Sequence, residues 1–397
     1  MRFVGFGSIA AVVLALAASA PPAAAATFSG LYSFKDACCG NPHGRLLFRN
    51  GRLFGTGFGA EEVGDYGQVF ELTNSGGSWK ETSPLIFDNA NGDMPAAGLI
   101  SESGGFLFGT TPSGDANGSG NVFILYKSGG SWTHGTLWAF PGARGDGQNP
   151  FCDLIKDSSR NLYGTTLQGG AYGVGTVFEL TKTSGTWTET VLHSFGGSDG
   201  ANPFAGLVMD SSGALYGTTY SGGASGQGVV FELAQSGGVW SETVLHSFGI
   251  GTDGSSPQSV LIGNPKDALY GTTVYGGTNG VGTVYEVFKS GGAWKEKILH
   301  TFTGSSDGGF PAAGLRRSGT GALYGTTFTG GMDDLGSVFE LTKSGGVWSE
   351  TVLYAFTGGS DGYGPIGQVI LDKSGALYGT ASGGGAYGYG TVWKVVP

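Results

Sequence analysis

The sequence predicts an all-β protein: a seven-bladed β-propeller of four-stranded blades, with the N-terminal strand completing the last blade. A motif of the form LYGTT, Gly-Gly, GTVFEL recurs with its leading leucine at Leu53, Leu107, Leu162, Leu215, Leu269, Leu323 and Leu377. The spacings are 54, 55, 53, 54, 54 and 54, so the chain is built of seven equal units, stacked or ringed. Each unit contains four short apolar stretches separated by turn signals, and no segment carries a 3.6-residue period. The two ends of the chain are complementary. TFSGLYSF at 27–34 aligns with the fourth strand of the unit, SETVLHSF at 241–248, while the last unit stops after TVWKVVP with three strands only. A ring closed by the first strand removes both loose edges, whereas an open solenoid would need polar caps.

Taken in order, residues 1–26 read as a secretory signal peptide. Arg2 starts it, an apolar run follows from Val4 to Ala20, and small residues at 24–26 mark a cleavage site. Glycines at 5 and 7 and Ser8 interrupt the run, which falls short of the roughly 20 apolar residues of a membrane span. Residues 27–397 then form one propeller domain, expected to be a secreted or periplasmic monomer. Eighty glycines in 397 residues would suggest low complexity, but they are locked into the period with aromatic and β-branched residues. Charged residues make up only 13% and the net charge is -10, which argues against nucleic acid or anionic membrane as a partner. Cys38, Cys39 and Cys152 are too few to staple such a chain, and a domain of this length buries its own core. Whether they form a disulfide is open at this level.

The unit from Pro203 shows the blade. FAGLVMD, ALYGTT, GVVFEL and VWSETVLHSF are strands a to d, joined by Ser-Ser-Gly, a Gly-rich loop and Gln-Ser-Gly-Gly. Their apolar residues do not alternate strictly, as expected of strands sandwiched between neighbours. Proline recurs at the start of strand a (Pro42, Pro95, Pro150, Pro203, Pro257, Pro311, Pro365), where a fixed φ steers the crossover to the inner strand. Trp79, Trp132, Trp187, Trp240, Trp294 and Trp348 recur at the start of strand d as bulk. In the connection before strand a stand Asp146, Asp199, Asp253, Asp307 and Asp361, with Asn91 and Cys38 in the other two units. Asp-Gly there reads as turn chemistry rather than calcium ligation, because no unit has the closely spaced acidic pattern of a calcium loop.

The motif at this period resembles the GloVer tandem-repeat proteins of bacteria over nearly the whole mature chain. The resemblance implies an extracellular, propeller-like protein, often with a C-terminal sorting anchor, and no assigned activity or catalytic residues. Ending at Pro397 on strand c, this chain departs from the anchored pattern.

Residues present in every unit serve packing, so the sequence directs attention to those that break the period. Recurrent glutamates of strand c (Glu71, Glu179, Glu232, Glu286, Glu340) give way to Ile124 and Lys394, and His193, His246 and His300 share a place with Leu85 and Trp138. Both sets read as packing, and three imidazoles on successive blades cannot meet on one ion. No metal site, cofactor or catalytic residue is assigned. The period-breaking residues cluster on the first unit and its ring neighbour: His43, Glu61, Glu62, Asp65 and Tyr66, with Tyr363, Tyr387 and Tyr389. Connections d to a and b to c leave the same face of a meander, so these should form one acidic and aromatic rim. Such a rim suits a sugar, with rings on pyranose faces and carboxylates on hydroxyls. The functional expectation is a binding or scaffold module for an extracellular glycan or a surface protein. The alternative is a polysaccharide lyase or glycoside hydrolase using Glu61, Glu62 or Asp65 as acid and base, or His43 with a tyrosine.

Overall fold

In a computed structural model that describes residues 25–36, 40–59, 64–249 and 251–397, seven four-stranded antiparallel sheets follow one another around an axis. The segment up to residue 24, expected to be a signal peptide, and Cys38 and Cys39 lie outside the described residues. Blade one comprises strands Leu47–Arg49, Arg52–Gly57, Gln68–Ser75 and Ser78–Ile86. Blade seven comprises Ile370–Leu371, Leu377–Ala381 and Thr391–Val396, and its fourth strand is Thr27–Ser33. The closure runs from Thr27 opposite Val396 to Ser33 opposite Thr391, with one register shift between Gly30 and Tyr32. Phe34 N–H extends it to Gly390 O at 3.1 Å. Strand a is shorter than FAGLVMD suggests: in blade four only Val208–Met209 joins the ladder. The residues before it run unpaired toward the axis, where seven backbones crowd.

Strand b is buried along its length in every blade save for Arg52 at the start of the first, which explains the missing alternation. Its glycine is a packing requirement. A Cβ on Gly217 would sit 2.6 Å from the tip of the Phe231 ring, and the same clash recurs at Gly55, Gly109, Gly164, Gly271, Gly325 and Gly379. The ring above that glycine is what the next contact uses. The phenylalanine ending each strand d meets the strand c aromatic of the following blade edge-on, as Phe195 meets Phe231 at 5.2 Å and Phe248 meets Tyr285 at 5.0 Å. The pattern closes through Phe34 on Phe70 at 5.0 Å. Such pairs add about 0.5–1.5 kcal/mol each beyond area burial.

Two polar rings reinforce the aromatic one. A strand b threonine hydroxyl donates to a strand a carbonyl of the next blade in five junctions, from Thr56 to Ala97 O (2.9 Å) through Thr272 to Ala313 O (3.0 Å). The second ring is complete. The residue before each strand a proline donates its N–H to the b to c loop of the preceding blade, including Asn41 to Tyr389 O (2.7 Å) across the closure and Phe310 to Val281 O (2.7 Å). All seven of these residues have φ between 53° and 62°, a left-handed conformation uncommon for Met94 or Phe310. Phe310 is held there from both sides, since its carbonyl also accepts the N–H of Phe328 (3.2 Å).

The recurrent acidic residues fall into place as contacts. Glu179, Glu232, Glu286 and Glu340 each accept the hydroxyl of the strand b tyrosine of their own blade, at 2.6–3.0 Å. Burial, with the glutamate beside it, pushes those hydroxyls up. Where the hydroxyl is missing the partner changes: Ile124 lies opposite Phe108, and Glu71, opposite Phe54, is taken up by Arg52. The turn aspartates accept backbone N–H groups, Asp199 from Gly196 at 2.8 Å and Asp361 from Thr357 at 2.7 Å. Cys152 occupies a packing position, fully buried, its Sγ accepting the N–H of Thr165 (3.1 Å), and burial pushes its thiol up to about 11.

Not anticipated from the sequence is a set of strand d glutamates wedged against the preceding blade. Burial holds Glu189 well above the usual carboxylate range, and the carboxylate of Asp146 raises it further, to about 9. The sign follows from the proton. Below the ordinary value of 4.5 both folded and unfolded chains hold it, but above that only the unfolded chain ionises freely, so stability is lost as pH rises toward 9. Glu189→Gln, with an amide N–H in place of the acid proton, should match the wild type at pH 4.5 and become progressively more stable than it as the pH rises to 8. Thermal melts across that range check this, and a difference independent of pH contradicts it.

Candidate binding site at the channel mouth

Strand a lines the axis, and its approach sorts residues by size. Two places after each proline the residue is small: Gly44, Ala97, Cys152, Ala205, Ser259, Ala313 and Gly367. At the next place large and absent side chains alternate. Gly98, Gly206 and Gly314 leave room for Arg45, Asp153, Val260 and Gln368, since a Cβ on Gly98 would lie 2.9 Å from Arg45 O and one on Gly206 2.6 Å from Asp153 O. Arg45 Nε reaches Asp153 Oδ2 at 3.1 Å, spanning blade two, and Asp153 Oδ1 accepts the N–H of Gly98 at 2.6 Å. This pair, Gln368 and Val260 floor a cavity of ≈ 350 Å³.

The walls come from the residue directly after each proline, which also differs from blade to blade. Phe151 and Phe204 stack with centroids 5.0 Å apart and planes at 22°. In blade one, His43 stacks on Phe58 at 4.7 Å and 13°. Gln258 and Ile366 complete the larger groups, and alanines at 96 and 312 leave gaps between them. Desolvation pushes His43 down to about 4, so its ring is neutral. Asn41 fixes the tautomer. Its amide nitrogen faces Gly59 O (3.4 Å), which turns Oδ1 toward His43 Nε2 (3.0 Å), so Nε2 carries the proton and Nδ1 keeps a lone pair.

The structure brings only part of the expected rim to this mouth. Among the described residues, His43 alone of the expected set lines it. Tyr389 is adjacent through its carbonyl, which accepts the N–H of Asn41, while its ring is exposed together with those of Tyr363 and Tyr387. Tyr66 occupies the same loop position one blade on. It turns half-buried into the core between blades one and two, its carbonyl accepting Met94 N–H. Asp65 is half-buried, and Glu61 and Glu62 lie outside the described residues. Tyr387 is not peculiar to blade seven, because Tyr172 takes the same place in blade three and is 70% exposed. The missed wall residues carried one signal: they vary at a fixed distance from a proline that does not.

Fold and channel define a seven-bladed, N-terminally closed β-propeller. A family model described as the Gloeobacter/Verrucomicrobia repeat matches residues 67–264 and 161–393, and the chain belongs to that family. No curated protein matches it. Two solved structures share the fold. PorZ, a surface component of the type-IX secretion system of Porphyromonas gingivalis, superposes with a TM-score of 0.55 at 14% identity over 89% of this chain and 46% of its own. The polysaccharide lyase Uly1 gives 0.53 at 11% identity over 92% and 91%.

Proposed function

We propose that the protein is a carbohydrate-binding propeller, working outside the cytoplasm, that receives one end of a glycan in its channel mouth. The carrying observation is the pair of aromatic stacks, Phe151 with Phe204 and His43 with Phe58, set around a floor made by Arg45 and Asp153. Rings present the flat apolar surface that a pyranose face covers, and a charged pair beneath supplies donors and acceptors for hydroxyls. The cavity lies at the small end of ligand pockets, about 300–1,000 Å³. The apolar leader supports export, and the structural likeness to a polysaccharide lyase supports a glycan setting while carrying no residue across. A neutral histidine at about 4 is a poor general base near neutral pH, which favours binding over elimination chemistry.

Screening of plant, algal and bacterial polysaccharides followed by calorimetry tests this. Phe204→Ala should weaken the selected oligosaccharide by about 1 kcal/mol or more, roughly fivefold, with melting barely changed because the ring is half-buried. Tyr387→Ala should leave that affinity intact. The reverse pattern moves the site to the outer rim, and absence of any glycan binding sinks the reading. Release of reducing ends or unsaturated sugars, lost in Glu61→Gln, would make the protein an enzyme instead.

A further inference from the structure

At four successive blade junctions, from blades two and three to blades five and six, a strand d histidine or Trp138 precedes an aspartate of the following connection and a strand d glutamate of the next blade. At the junction of blades four and five these are His246, Asp253 and Glu296. Donor atoms of all three lie within 4.8 Å of one another, and among the described residues no other histidine, cysteine and carboxylate trio converges this way. His246 Nε2 and Glu296 Oε1 are both sealed from water and lack a hydrogen-bond partner. Buried polar atoms are rarely left so, and an unfilled ion position is one reason for it.

We propose that this junction is a divalent-cation site of the zinc class, with His246 Nε2, Asp253 Oδ2 and Glu296 Oε1 as ligands and water completing the coordination. Zinc bonds of about 2.0–2.2 Å to nitrogen and oxygen place neighbouring tetrahedral donors roughly 3.3–3.6 Å apart. His246 Nε2 stands 3.4 Å from Asp253 Oδ2. The aspartate is already oriented, since Oδ2 accepts Gly249 N–H at 2.7 Å and Oδ1 accepts Gly254 N–H at 2.8 Å, the kind of support that metal-binding carboxylates receive. The imidazole is braced edge-on against Phe248 at 4.7 Å. The junctions on either side differ in different ways: His193 Nε2 lies 3.0 Å from Asp199 Oδ2 and hydrogen-bonds it, while His300 Nε2, 3.5 Å from Asp307 Oδ2, and Glu350 Oε1 are unpartnered in the same manner but do not converge as a trio. The geometric objection to three histidines on one ion does not apply, because one imidazole meets carboxylates from both blades. A bound ion would add a staple on the outer part of a junction already joined by packing and by the hydrogen bonds of Thr218 to Ser259 O and of Ser256 N–H to Gln227 O.

The test strips the full chain with chelator and titrates Zn²⁺ by calorimetry, with bound metal counted by elemental analysis. One equivalent is expected, with at least tenfold weaker binding in Glu296→Gln and in His246→Gln, no change in His300→Gln, and a zinc-dependent rise in melting temperature lost in the first two. Far-UV circular dichroism of the stripped variants shows that each is folded, and Asp253→Asn replaces any that is not. No stoichiometric uptake by the wild type overturns the proposal, as does uptake undiminished in Glu296→Gln and His246→Gln.

Discussion

Deletion of residues 27–35 should cost several kcal/mol out of a total of roughly 5–15, enough to leave the propeller largely unfolded at its ordinary melting temperature. The segment does more than add a strand. It closes the blade seven ladder from Thr27 to Ser33, and its rings reach into both neighbouring junctions. Phe34 is fully buried and meets Phe70 of blade one at 5.0 Å, while Phe28 stacks on Tyr354 of blade six at 4.0 Å. Losing one fully buried phenylalanine typically costs about 3–5 kcal/mol. Differential scanning calorimetry of the truncated chain decides it. A variant that melts with the parent would show that the ring holds without its closing strand.

The second large effect is expected from a single methyl group. Gly217→Ala should destabilise by about 1–3 kcal/mol, because the added Cβ meets the Phe231 ring at 2.6 Å and Leu207 Cδ2 at 2.9 Å. Neither can withdraw easily. Phe231 is pinned by Phe195 of the preceding blade, and Leu207 is buried beside it in the same cluster. Gly319→Ala is the control, since a Cβ there meets nothing within 4 Å, and it should lie within about 0.5 kcal/mol of the wild type. Denaturant melts compare the two. Equal effects would mean that conformational freedom, and not the space under the ring, selects glycine in LYGTT.

The architecture was legible because it is written seven times. A leucine spacing constant to one residue implies equal blades, and the matching of TFSGLYSF to SETVLHSF locates the closing strand. Turn signals were equally plain, and the aspartates behave as turn residues. The site was less legible for a physical reason. Phe151, Phe204 and Ile366 look like core residues in sequence, and only the convergence of seven strands on an axis turns the residue after each proline into the wall of a cavity. Arg45 and Asp153 are 108 positions apart, so no local pattern pairs them. The strand d glutamates drew no notice in the sequence, because only blade-to-blade packing sets Glu296 against His246 and Asp253. Period-breaking pointed first to loops, where variation is common, and not to the equally variable positions along strand a.

The closing strand also orders events in time. Thr27 and Val396, partners in the ladder, stand at opposite ends of the domain, so the first strand to be synthesised waits for the last. Blades one to six can assemble from local hairpins on the fast timescale of short-range contacts, but the final pairing of blade seven must gather the longest loop in the chain. Until then two strand edges stand open, one on each side of the gap, and each is a template for another molecule's strand. The vulnerable species is thus the nearly finished ring, and its lifetime sets how fast the chain can be made without pairing with its neighbours.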